Sequence, residues 1–217
     1  MRQLILDLLP ETPPRFDNFV AGSNGEALAG LTAWLAPESR EPSLLLWGET
    51  GAGKTHLLRA SEAHYCDAAS DPDLASIDEI QPAHAVDNVE ALSADGQIAL
   101  FNLFNRLRAA GGRLLTGAKQ PPQQLAVRED LRTRLGSGLI YRLHPLTDAE
   151  KIDALTTQAS ARGLRLPPDA FNYILARAPR DMRSLSALLG ALDRYSLEHK
   201  RAITLPLLRE VLQSALK

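Results

Sequence analysis

The clearest chemistry in the chain lies in Gly48-Glu49-Thr50-Gly51-Ala52-Gly53-Lys54-Thr55, which follows the apolar run Ser43-Leu44-Leu45-Leu46-Trp47. A glycine-rich turn between a strand and a helix lets successive backbone N–H groups face one anion, and the helix start adds the positive end of its dipole. In this spacing Gly48, Gly51 and Gly53 supply the curl, Lys54 neutralises β- and γ-phosphates, and the Thr55 hydroxyl ligates Mg²⁺. The alternative, an ordinary glycine-rich turn, leaves the Lys-Thr pair unexplained.

A second acidic element reads as its complement. Leu74-Ala75-Ser76-Ile77-Asp78-Glu79 is expected to be a short buried strand ending in two carboxylates. Asp78 would hold Mg²⁺ through water and Glu79 would orient the attacking water. Its bland alternative is an Asp-Glu turn. His64-x-Cys66 is the one metal-like pair; without two further ligands at finger spacing it reads as a helix end.

Several classes are excluded or disfavoured. The net charge is -2, and no basic block exceeds Lys200-Arg201, so the electrostatic footprint of a duplex-DNA reader is missing. Cys66 is the single cysteine, which rules out an internal disulfide and favours a reducing compartment. Asp7 interrupts Leu4-Ile5-Leu6, and no apolar run approaches a membrane span, so a cytoplasmic protein without membrane contact is expected.

The elements that must position these groups alternate. After the phosphate loop, Ile98, Phe101, Phe104 and Leu107 recur at helical spacing until Gly111-Gly112. Arg113-Leu114-Leu115-Thr116-Gly117 reads as a strand, and another lies near Leu139-Ile140-Tyr141-Arg142-Leu143. From Thr147 the pattern is all helical. Thr147 and Glu150 form a capping box, Pro168 opens a second helix, Asp181 caps a third and Thr204 a fourth. The expected architecture is α/β: a P-loop domain over 15–145 with a shortened parallel sheet of about four strands, then a small helical lid over 146–217. Residues 1–14 form a tail and linker.

These residues resemble the AAA+ clade of the bacterial replication initiator DnaA. Phe16-Asp17-Asn18-Phe19-Val20-Ala21-Gly22-Ser23-Asn24 is similar to that family's entry segment. The phosphate loop, the acidic strand, Leu114 to Pro122, Leu131 to Leu139 and Pro179 to Leu185 follow in the family's order. The resemblance implies ADP or ATP with Mg²⁺ as cofactors, with Phe19 and Val20 beside the adenine. It further implies Arg134 as an arginine finger acting in trans and Arg183 as the lid's sensor arginine.

Three departures narrow the expectation. Little chain follows Arg183, too little for a DNA-reading domain. Asp78 follows Thr55 closely, as if an edge strand and a helical insert were lost. Ala118 stands where the family places a polar sensor, and a methyl group cannot orient water. The chain thus resembles a regulatory branch of the family, which implies an adaptor with at most weak ATPase activity. Its expected partners are DnaA and the sliding clamp, the DNA polymerase III beta subunit, with a second copy of the chain as a further candidate and no direct sequence-specific DNA binding. Gln3, Leu4, Leu6 and Leu8 would dock on the clamp, since alternate residues of an extended chain share a face. A helicase- or clamp-loading ATPase is the rival reading, and a metabolic P-loop kinase a weaker one.

Overall fold

The computed structural model describes residues 13–78, 80–167, 169–199 and 203–209. The chain divides into two compact units, one running from Pro13 to Pro145 and the other containing everything from Leu146 onward.

The first unit is a parallel sheet of β1 (Ser43–Trp47), β2 (His64–Asp67), β3 (Ala83–Asp87), β4 (Arg113–Ala118) and β5 (Leu139–Arg142), in the order β2-β3-β4-β1-β5. Its helices are α1 (Gly25–Leu35), α2 (Lys54–Ala60), α3 (Ala94–Ala110) and α4 (Glu129–Leu135). Side chains alternate across the strands, so both faces of the sheet need cover. Leu44 and Leu46 of β1, Ala85 and Leu115 pack with Leu31 and Trp34 of α1 and Leu57 and Leu58 of α2. Their neighbours Leu45, Val86 and Leu114 pack with Leu100, Phe104 and Leu107 of α3 and Leu131 and Leu135 of α4. This two-sided burial explains why β1 reads as an unbroken apolar run. α3 ends where Gly111 takes a left-handed φ of 71°, the geometry glycine adopts without steric cost.

Two expectations about the sheet are corrected. It has five strands, not about four, because the edge strand that seemed lost is His64–Asp67; that pair of His64 and Cys66 is therefore not a helix end. The segment from Leu74 to Asp78 is not a strand. The Asp71 carboxylate accepts the backbone N–H groups of Ala75 and Ser76 and the Ser76 hydroxyl, and Leu74 sits at a left-handed φ of 56°. Donors committed to an Asp-centred turn cannot join a ladder. The strand that follows is β3, paired with β2 on one side and β4 on the other.

The second unit contains α5 (Asp148–Ala161), α6 (Ala170–Leu175), α7 (Met182–His199) and a helical run over 205–209. The capping box is present: Glu150 N–H donates to Thr147 Oγ1, and Glu150 accepts from Thr147 N–H. Ser184 N–H donates to Asp181 Oδ1 at 2.8 Å, which caps α7. Leu155, Ile174, Leu185, Leu189, Leu192 and Leu208 form its core. Among the described residues no helix is long and apolar enough to cross a membrane.

Candidate functional site

The turn between β1 and α2 is shaped by glycine. Gly48, Gly51 and Gly53 have φ of 153°, 83° and 96°, a region that side chains with a Cβ rarely enter. A Cβ on Gly48 would lie 2.1 Å from the Leu143 carbonyl oxygen. One on Gly53 would lie 2.7 Å from the Phe19 ring, so the entry segment lies directly against the loop. Phe19 also meets His56, ring centroids 5.4 Å apart, and Val20 beside it is half-buried.

Lys54 opens α2 and is buried. Its Nζ donates to the carbonyls of Gly48 at 2.6 Å and Glu49 at 2.9 Å, folding the ammonium back over its own loop. Burial lowers its pKa, opposed by the negative charges of Asp87 and Glu90. An anion seated in the loop would add a partner that carries charge.

The carboxylate facing this loop belongs to Asp87, at the C-terminal end of β3. Asp87 is fully buried, and its Oδ2 accepts the Thr55 hydroxyl at 2.5 Å. A hydroxyl has one proton and two lone pairs, so this bond leaves the oxygen of Thr55 free to bind a cation. Among the described residues no three His, Cys, Asp or Glu side chains converge on a metal position. A cation here would complete its shell with phosphate oxygens and water, which suits Mg²⁺.

Asp78, expected at this place, lies elsewhere in the first unit. Its exposed carboxylate accepts from the Ile80 N–H and the Gln81 side-chain amide, bonds that lower its pKa. Glu79 lies outside the described residues. The true strand end was obscured by its composition. Ala83-His84-Ala85-Val86-Asp87 has one β-branched residue and follows Pro82, so local propensity marks it weakly. The available signal was an aspartate closing a short stretch of small residues before the amphipathic α3.

Beside Asp87 the chain offers an amide and a methyl group, and the nearby carboxylates of Asp67 and Glu90 are engaged by Asn88 and Lys119. The next residue is Asn88, held at a left-handed φ of 54°, with its Nδ2 donating to Asp67 Oδ1 at 2.8 Å. Ala118 ends β4 fully buried, and its carbonyl accepts from Gly48 N–H at 3.1 Å. Lys119 next to it pairs with Glu90 at 3.5 Å.

Arg134 lies on α4, half-buried. Its guanidinium carbon is 5.9 Å from the Phe101 ring centroid and 5.8 Å from that of Phe104, so α3 offers it an aromatic shelf. Arg183 is exposed on α7, in the helical unit. Gln3, Leu4, Leu6 and Leu8 lie outside the described residues.

A family model described as Hda, lid domain, matches residues 148–212, and one described as the bacterial DnaA ATPase domain matches residues 11–78. Domain III of the Thermotoga maritima replication initiation protein DnaA is similar in structure, with a TM-score of 0.71 at 21% identity, over 94% of this chain and 98% of that one. DnaA from Aquifex aeolicus bound to AMPPCP has a TM-score of 0.66 at 21% identity, over 89% and 71% of the two chains. The RuvB Holliday junction branch migration motor of Thermotoga maritima reaches 0.64 at 19% identity, over 93% and 72%. These likenesses establish the AAA+ fold.

Proposed function

We propose a regulatory role in replication for this chain, which belongs to the DnaA/Hda clade of AAA+ proteins: it holds an adenine nucleotide and stimulates ATP hydrolysis by the initiator DnaA while docked on the DNA-loaded sliding clamp. The observation that carries this reading is a complete phosphate seat in which the residue after Asp87 is the amide Asn88 and β4 ends in the methyl group of Ala118. Lys54 and the loop amides would bind the phosphates, with Phe19 and Val20 beside the base. Thr55 and Asp87 would hold Mg²⁺, which supplies charge neutralisation between β- and γ-phosphates. The acid-pair role assigned to Asp78 and Glu79 passes to Asp87 and Asn88. An amide is no general base, and one of its two N–H donors is already engaged by Asp67; Ala118 adds only a methyl group. Such a site retains nucleotide better than it turns it over, which disfavours the motor and loader reading.

Arg134 then acts outward. A cation on an aromatic shelf is preorganised to reach a neighbour's γ-phosphate, where it offsets charge that builds up in the transition state. Arg183 would contact the nucleotide held by its own chain, and Gln3, Leu4, Leu6 and Leu8 would anchor the clamp. The test is phosphate release from ATP-loaded DnaA with this protein and DNA-loaded clamp, singly and together. Acceleration only when both are added is expected; no acceleration with both overturns the regulatory reading.

A further inference from the structure

Tyr65 lies in β2, the edge strand that the sequence conceals. In the sheet it sits opposite Ala85, two residues before Asp87 on the neighbouring strand. Residues two apart on a strand share a face, so Asp87 lies diagonally ahead of Tyr65 on the same side of the sheet. The ring spans that diagonal: Tyr65 Oη donates to Asp87 Oδ2 at 3.3 Å. This is the same oxygen that accepts from Thr55 Oγ1. The other oxygen, Oδ1, accepts from Asn88 N–H at 2.9 Å. On β4, a Cβ at Gly117 would come within 2.5 Å of Oδ1, so the carboxylate is enclosed on that side as well. Arg59 of α2 covers the Tyr65 ring, its guanidinium carbon 4.3 Å from the centroid, and fixes the ring in place.

We propose that Tyr65 is a positioning residue for the magnesium ion: its hydroxyl holds the Asp87 carboxylate in the rotamer that accepts the Thr55 proton, which keeps the oxygen of Thr55 turned to the cation. Groups that orient metal-binding side chains typically contribute 10- to 100-fold to metal affinity. The long hydrogen bond puts Tyr65 at the lower end, about tenfold. The inference rests on the nucleotide-holding reading above.

The test compares wild type with Tyr65→Phe, which keeps the ring under the Arg59 guanidinium and removes the oxygen together with its hydrogen bonds to Asp87 and Arg59. ADP affinity is titrated in Mg²⁺ and again in EDTA. The expected result is equal affinity in EDTA and an enhancement by Mg²⁺ reduced about tenfold in the variant. Equal enhancement in both proteins overturns the positioning role. A variant weakened equally with and without Mg²⁺ also overturns it, because that is the mark of a merely structural tyrosine. If the wild type binds no ADP in either buffer, the nucleotide reading falls and the role of Tyr65 falls with it. A double-mutant cycle with Thr55→Val gives a second measurement: in that background Tyr65→Phe should change the Mg²⁺ enhancement less than twofold, since coupled groups are not additive. A full additive loss overturns the shared mechanism.

Discussion

Lys54 is both buried and tied to two carbonyls of its own loop, so its role is decided by what the ammonium gains from phosphate. Hydrogen bonds to charged groups contribute roughly 1.5–3 kcal/mol each. Lys54→Ala should therefore weaken ADP binding about 100-fold or more, measured by calorimetric titration. Unchanged affinity would remove the phosphate loop from the proposal. Arg134 makes the opposite prediction. Its contacts are the faces of Phe101 and Phe104, so Arg134→Ala should leave thermal stability and ADP affinity nearly as they are. Stimulation of hydrolysis in ATP-loaded DnaA should drop about 1,000-fold, and retained stimulation would take Arg134 out of the mechanism.

At the scale of elements, β3 decides which carboxylate matters. Asp87→Asn should remove the enhancement of ADP binding by Mg²⁺, by about 10- to 100-fold. Asp78→Asn, whose carboxylate accepts from the Ile80 N–H and the Gln81 side chain rather than from the phosphate loop, should not alter that enhancement; the reverse result would restore the acidic element first read from the sequence. β3 also carries His84, buried between strands, with Nε2 donating to the Asp78 carbonyl at 2.9 Å and Nδ1 without a hydrogen-bond partner among the described residues. Burial lowers its pKa below 6.5, with His64 and Arg106 adding to the effect and the Asp78 carbonyl opposing it. Folding then holds His84 neutral where the unfolded chain would bind a proton. This contribution is complete above pH 6.5 and is lost as pH falls through the depressed folded value. The melting temperature of the wild type should drop between pH 7 and 5, and His84→Gln should flatten that drop. An equal slope in both proteins would show that His84 does not set it.

For the whole molecule, the proposal separates holding a nucleotide from consuming one. The isolated protein should hydrolyse ATP at a rate on the order of 10⁻³ s⁻¹ or slower, the scale of unassisted P-loop proteins, as read by phosphate release. Sustained turnover near that of a motor would favour the loader reading. Clamp docking belongs to the same scale. Changing Gln3 and Leu4 together to Ala should leave melting and ADP affinity unaltered but weaken clamp binding about tenfold or more, because a few buried anchors carry most of such an interface. Surface-immobilised clamp measures this, and equal affinities would remove the tail from the docking role.

The sequence by itself determined the parts whose chemistry is local. The phosphate loop is legible because curl, lysine and hydroxyl must be contiguous, and β1 because a central strand is apolar on both faces. The helical unit is legible because the Thr147–Glu150 box and the Asp181 cap act within one turn. Tertiary structure alone decided the acidic partner of the loop. Leu74 to Asp78 looked like a strand, but Asp71, a few residues upstream, takes its donors. Ala83 to Asp87 looked like little, but ladders on both sides make it a strand. The edge strand β2 is short and polar, yet it brings Tyr65 and Asp67 to Asp87 and Asn88. These contacts join residues far apart in the chain, and no local spacing encodes them.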